Sequence, residues 1–129
     1  MDPHVQNITL RTFSTKEIFV RIRTSVWNDT LDIWEPGPYK DLTGFTFLAQ
    51  IRVTADDTLV TSFTCTPGDQ GDPIDGIGSL LLKITDEVTA TLTPGMAGLV
   101  WDLKVTEPDG DAFPYMEGTV TIKKGVSHA

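Results

Sequence analysis

Few residues of this 129-residue chain have types and spacing that could support catalysis or metal binding. His4 and His128 each lie near one end of the chain, where backbones are usually mobile, so neither is a good general base or metal ligand. The only cysteine, Cys65, can form neither an intramolecular disulfide nor a thiolate zinc cage. Its setting in Phe-Thr-Cys-Thr-Pro predicts a half-buried structural thiol rather than a nucleophile.

Aspartates recur in a glycine-rich stretch between Pro67 and Gly78. Asp69, Asp72 and Asp75 are spaced three residues apart. An EF-hand calcium loop needs ligands at every second position and a closing Glu, and this stretch has neither. A flexible surface loop is therefore the favoured interpretation, and a calcium site at the three aspartates is the alternative.

A second acidic group, Glu107, Asp109 and Asp111, surrounds a Pro-Asp-Gly sequence. Such a sequence is typical of a turn, where carboxylates are solvated. It does not indicate the acid pair of a glycosidase. We therefore expect no enzymatic activity, no catalytic residue and no cofactor.

Composition narrows the classes of partner. The formal net charge is −8 and the isoelectric point is about 4.5, which argues against binding nucleic acid or an anionic membrane surface. Hydrophobic residues at 40% and charged residues at 22% are typical of a folded globular protein. The start of the chain lacks the pattern of a signal peptide. We expect a single domain over residues 1–129 that folds in the cytoplasm.

The strongest structural pattern runs from Asp41 to Val53. After the turn sequence Asp-Leu-Thr-Gly, apolar and mostly polar residues alternate, as they do along a β-strand with one buried face. Leu99 to Glu107 repeats the alternation and ends at the Pro-Asp-Gly turn. Because two such strands must bury their apolar sides together, they predict a shared core.

Other segments complete an all-β pattern. We expect strands over residues 5–13, 17–27, 58–66, 79–84 and 113–124, and one or two helical turns after Thr85, with Val88 and Leu92 facing inward. About seven strands, with one short helix between late strands, predict an immunoglobulin-like antiparallel β-sandwich without its disulfide. A small closed barrel is the alternative architecture.

Residues 28–40 contain the best candidates for an interaction site. The stretch reads as a long loop carrying Ile33, Trp34 and Tyr39 between proline and glycine, and such loops are often functional. Its aromatic residues either fold back over the core or form an interface. Arg21 and Arg23 lie on the outward face of the preceding strand; they either pair with nearby carboxylates or contact an acidic partner.

The order of motifs resembles that of small bacteriophage structural proteins, and it is similar to the N-terminal domain of the upper baseplate proteins of siphophages. The motifs that carry the resemblance are Asp41-Leu-Thr-Gly44, Gln50-Ile-Arg52, Thr89-Ala-Thr-Leu92, Trp101-Asp-Leu103, Pro108-Asp-Gly110 and Glu117-Gly-Thr-Val-Thr-Ile122. They span most of the chain from Asp41 onward. Residues 27–40 depart from the pattern, being longer and more aromatic.

The resemblance implies a non-enzymatic virion protein, made in the host cytoplasm, that acts as a tail or baseplate adaptor. Its partners would be other virion proteins, or further copies of itself in a symmetric assembly, and neither nucleic acid nor membrane. Capsid decoration and a carbohydrate-binding host-attachment module are the alternatives.

Overall fold

The computed structural model describes residues 4–54 and 56–125, apart from the side chains of residues 25 and 26. Within these residues the chain forms ten β-strands and one helical turn. The strands are β1 (His4–Val5), β2 (Ile8–Arg11), β3 (Lys16–Arg21), β4 (Arg23–Asn28), β5 (Ile33–Tyr39), β6 (Thr46–Val53), β7 (Leu59–Pro67), β8 (Ser79–Ile84), β9 (Leu99–Thr106) and β10 (Ala112–Lys123); the helix, α1, is Asp86–Thr89.

Most strands belong to two packed layers that share β7. The first layer has the order β2-β10-β9-β6-β7, and β1 pairs with β10 ahead of β2. The second layer has the order β3-β8-β7. Residues 59–63 of β7 pair with β6, and residues 64–67 pair with β8. One continuous strand therefore passes from one layer to the other.

The strand order is that of an immunoglobulin-like sandwich. In chain order β3, β6, β7, β8, β9 and β10 correspond to strands B, C, D, E, F and G of that fold. β3, β8 and β7 then form the B-E-D sheet, and β6, β9 and β10 form the C-F-G sheet. β1 and β2 act as strand A and run parallel to β10. The edge strands β2 and β3 do not pair with each other, so the closed-barrel alternative is wrong.

Trp101 lies at the centre of the core. β6 and β9 pair with each other, and Ile51 lies directly opposite Trp101. The indole is 2% exposed, its ring centroid is 5.7 Å from that of Phe63, and its Nε1 donates to the carbonyl oxygen of Gln6 at 2.7 Å. Gly118 faces Trp101 across the β9–β10 ladder, and a Cβ there would collide with the Gln6 carbonyl. Gly118 thus lets the N-terminal strand close over the tryptophan.

Several predicted boundaries are wrong. The strand predicted over residues 5–13 is two short strands separated by Gln6 and Asn7. The strand predicted over residues 17–27 ends at Arg21, because Ile22 donates to the Gly78 carbonyl while its own carbonyl accepts from Lys40. β4 begins a separate two-stranded sheet.

The loop predicted over residues 28–40 is also wrong, since residues 33–39 form β5, the partner of β4. The helical turn is confirmed. Val88 and Leu92 pack against the core, although Thr85 makes no side-chain capping hydrogen bond.

The glycine-rich segment, residues 68–78, is more tightly bonded than its composition predicted. Gln70 Oε1 accepts from the backbone N–H of Leu42 and of Gly78, both at 2.9 Å, and Nε2 donates to the Gly68 carbonyl at 2.9 Å. A Cβ on Gly76 would overlap the Asp69 carbonyl. These contacts contradict the interpretation of a loosely held surface loop.

Replacing Gln70 by alanine should lower the free energy of unfolding by about 2–4 kcal/mol, because two buried backbone N–H groups lose their acceptor. Urea unfolding would measure the loss. Gln70→Glu retains the acceptor atom and should cost less. The matched control is Gln6→Ala, whose side chain is exposed. Equal stability of Gln70→Ala and Gln6→Ala would contradict the role assigned to Gln70.

Candidate interaction site

The hairpin of β4 and β5, residues 23–39, stands apart from the sandwich and is called the arm. Trp27 lies opposite Trp34 and Asn28 opposite Ile33, and within the part of the chain that the structure describes both strands pair only with each other. Asn28 closes the turn by accepting from the N–H groups of Thr30 and Leu31 at 2.9 and 3.1 Å. The prolines of β5 are tolerated because its second edge pairs with no strand of the described residues.

The far end of the arm exposes a group of large apolar side chains, called the tip. The tip comprises Trp27 (42% exposed), Leu31 (59%), Ile33 (47%) and Trp34 (65%). The two indoles meet edge to face, with centroids 5.4 Å apart and planes at 67°. Asp29 and Asp32 lie exposed in the turn between them. The tip is therefore apolar and flanked by negative charge.

The root of the arm is held by stacking and hydrogen bonds. The guanidinium carbon of Arg21 lies 3.8 Å from the ring centroid of Tyr39, and that of Arg23 lies 4.9 Å away. Arg21 also donates to the carbonyls of Ile77 and Ile74 at 2.8 and 2.9 Å. Arg23 donates to the Gly37 carbonyl at 2.9 Å. Stacking of arginine on an aromatic face stabilises such a joint.

These positions divide the predicted interface residues into two groups. Trp34 and Ile33 lie exposed at the tip. Tyr39, Arg21 and Arg23 lie at the root, where the arginines bond backbone carbonyls rather than carboxylates. The expected pairing of the arginines with nearby carboxylates is thus wrong.

Two residues of the tip, Trp27 and Leu31, were not among the sequence-based candidates. Trp27 was assigned to the end of a sandwich strand, and nothing in the local sequence marked Leu31. A tryptophan on each side of an Asn-Asp turn is the signal that could have indicated a hairpin.

The aspartates considered for calcium binding act within residues 68–78 as turn acceptors. Asp69 accepts from the Gly71 N–H at 2.9 Å, and Asp72 from the N–H groups of Ile74 and Asp75 at 3.0 and 3.3 Å. Their carboxylates do not converge on a common point. The calcium alternative therefore has no geometry to support it.

The other acidic group does converge. Carboxylate oxygens of Glu107, Asp109 and Asp111 lie within 4.8 Å of one another. Glu107 forms an ion pair with Lys40 at 2.8 Å, and Asp109 accepts from the Asp111 N–H at 3.0 Å. The contacts within and beside the turn thus account for the convergence of these carboxylates without a bound metal ion.

The two histidines and the cysteine were the remaining residues considered for catalysis or metal binding. The ring of His4 packs against that of Tyr115 with centroids 5.0 Å apart, and His128 lies outside the described residues. Cys65 is free and half-buried, and burial raises the pKa of its thiol. Residues 4–54 and 56–125 contain no helix with the length and apolar character needed to cross a membrane.

Comparison with known proteins adds little to the fold. No family model matches the chain, and no curated protein is significantly similar to it. Among solved structures, the first immunoglobulin-like domain of the human CD48 antigen matches over 100% of this chain and 90% of that one, with 9% identity and a TM-score of 0.35. The immunoglobulin-like assignment rests on the strand order described above.

Removing the tip should leave the domain folded. We expect Trp34→Ala, alone or with Trp27→Ala, to lower the free energy of unfolding by less than about 1.5 kcal/mol, mainly through loss of the indole pair. Trp101→Ala is the contrasting variant and should cost about 3–5 kcal/mol. Urea unfolding followed by circular dichroism measures both. A loss at Trp34 equal to that at Trp101 would mean that the tip packs on the core.

Cys65 should react slowly. A raised pKa lowers the thiolate fraction at a given pH, and the thiolate is the nucleophile. At about pH 8 we expect iodoacetamide to alkylate the folded protein about tenfold more slowly than the urea-unfolded protein. Mass spectrometry over time gives both rates, and equal rates would contradict the burial of this thiol.

Proposed function

We propose that this chain is a non-enzymatic structural protein of a bacteriophage particle, an adaptor of the tail or baseplate that binds neighbouring virion proteins through the tip of its arm. The observation that carries the proposal is the exposure of four large apolar side chains at the end of a hairpin with a fixed root. Exposed apolar clusters of this kind typically mark interaction sites.

The energetics of the arm favour binding. Tryptophans at the centre of an interface supply much of the binding free energy, and the tip offers two of them, at 42% and 65% exposure. The stacked root and the Asn28 turn fix the hairpin before it meets a partner. Such preorganisation lowers the entropy lost on binding.

The assignment to a phage particle is supported by the resemblance in motif order. In the sandwich Asp41-Leu-Thr-Gly44 forms a turn, in which Asp41 accepts from Thr43 at 3.0 and 2.7 Å and Gly44 takes a φ of 81°. Pro108-Asp-Gly110 joins β9 to β10. The arm, residues 23–39, includes most of residues 27–40, the segment that departs from the pattern of motifs. Such a departure is expected where the contacts differ from one assembly to another.

Carbohydrate binding is the weaker candidate. A sugar ring stacks on a flat aromatic face, but the two indoles of the tip meet at 67° and share no plane. The acidic segment at residues 68–78 contacts the root of the arm through Arg21 rather than the tip. No single surface therefore combines the indoles of the tip with the aspartates of residues 68–78.

Incorporation into particles tests the proposal. The tagged chain would be followed by immunoblot through density-gradient purification of phage particles from producing cells. We expect wild type in the particles and about a tenfold reduction for Trp34→Ala/Ile33→Ala, because the variant lacks its main apolar contacts. Gold labelling of the tag would distinguish tail from capsid.

The matched control is Val5→Ala/Ile74→Ala, two comparably exposed apolar residues outside the arm, which should be incorporated like wild type. A chain that is abundant in the lysate and absent from particles would overturn the virion assignment. Equal incorporation of the arm variant would overturn the role of the tip.

A further inference from the structure

A basic pocket lies at the end of the sandwich opposite the arm. Its volume is about 310 Å³ and its lining includes Arg11, Lys16 and Lys123, together with Thr9, Ser14 and Thr15. The chain has only 10 lysines and arginines against 18 acidic residues. Three cations around one pocket are therefore a local reversal of the overall charge.

The positions of two strands place the pocket and the arm at opposite ends. β3 begins at the pocket with Lys16 and ends at Arg21, just before the arm. β10 spans the same two ends in the opposite direction, since Tyr115 near its start donates to the Arg21 carbonyl at 3.3 Å and Lys123 at its end lines the pocket. Six extended residues separate the two sites by roughly 17 Å. The arm of one molecule therefore extends from the end that its own pocket does not occupy.

The charges of the pocket are not compensated within the described residues. No carboxylate there forms an ion pair with Arg11, Lys16 or Lys123. The acidic first turn of α1 lies beside the pocket, where the Asp86 N–H donates to Thr15 Oγ1 at 3.2 Å. Thr89, fully buried, fixes the pocket floor by donating to the Ser14 carbonyl at 2.8 Å. The pocket thus has a fixed floor and three cations without an ion-pair partner among the described residues.

The tip of the arm has the complementary character. Between Trp27 and Glu35 the chain carries three carboxylates and no lysine or arginine. Phe13 lies in the turn that precedes Ser14 of the pocket and is 52% exposed. Opposite charges steer two surfaces together, and apolar contacts then supply affinity.

We propose that copies of this chain bind head to tail, with the tip of the arm of one copy in the basic pocket of the next. The inference rests on the proposed assembly function and specifies the partner as a second copy of the chain. A head-to-tail contact uses two different surfaces, so it repeats around a ring or along a filament. Three cations are too few to recruit nucleic acid against a net charge of −8.

Complementation of two variants of the full chain tests the contact. The arm variant is Asp29→Lys/Trp34→Ala, and the pocket variant is Lys16→Glu/Lys123→Glu. Light scattering and sedimentation velocity would give the mass over a range of concentrations. We expect wild type to form species larger than a dimer, and each variant alone to remain a monomer. A mixture of the two variants retains one intact tip and one intact pocket, and should give a 1:1 heterodimer and nothing larger.

The matched control is Lys83→Glu/Lys104→Glu, which makes the same change in charge at two exposed lysines outside the pocket. This variant should assemble like wild type. Raising the salt from about 50 to about 500 mM should weaken wild-type assembly by about tenfold or more, since the contact is partly electrostatic. Thermal unfolding checks that each variant is folded; if the pocket variant unfolds, Arg11→Glu replaces it.

Three results would overturn the inference: a monomeric wild type at all concentrations and low salt, a mixture that remains monomeric, or a control that also fails to assemble. Its failure can be distinguished from that of the proposed function. A monomeric wild type whose incorporation into particles requires the tip would mean that the tip binds another protein, and the virion assignment would stand. If instead the chain assembles head to tail but is absent from particles, the head-to-tail contact would stand and the virion assignment would fail.

Discussion

Burial of Trp101 is the interaction on which the two-layer structure depends. Its indole contacts Phe63 of β7, the strand that passes between the layers. Its ring nitrogen donates to the Gln6 carbonyl and so binds the N-terminal strands to the sheet. In immunoglobulin domains of antibodies, a tryptophan packs against a disulfide at the centre of the sandwich. Here the single cysteine is free, and the buried indole packs against Phe63 and donates to the Gln6 carbonyl instead.

The arm, unlike the core, exposes its large apolar side chains to water. A two-stranded sheet has too little surface to bury its own apolar side chains, so the residues of the tip remain exposed wherever the arm does not meet a partner. The root is nevertheless ordered by the stack of Arg21 and Arg23 on Tyr39. Because Arg21 also bonds the carbonyls of Ile74 and Ile77, the glycine-rich segment and the arm share one support. The domain therefore combines a buried core with an extension whose apolar side chains remain exposed.

Strand alternation predicted the centre of the fold and failed at its periphery. β6 and β9 were predictable because a strand buried on one face must alternate with a period of two. β5 was not, because Pro36, Gly37 and Pro38 give it the composition of a loop, and only pairing with β4 makes it a strand. Gln70 was not predictable either, since its role comes from backbone groups at Leu42 and Gly78. Of the site, Trp34 and Ile33 were identified as interface candidates, but their exposure was left open, and the root required the three-dimensional contacts of Tyr39.

The parallel pairing of β1 and β2 with β10 has a mechanical consequence. His4 pairs with Met116 near the start of β10. Gly125 follows the end of β10 and lies against Thr12. The two ends of the described chain therefore lie at opposite ends of the sandwich, roughly 23 Å apart along β10. Tension applied through these ends would act along the strands and load the β2–β10 hydrogen bonds in shear. In shear the bonds share the force and must break together, whereas in peeling they break one at a time. A module with this geometry can transmit tension along its length without opening its core.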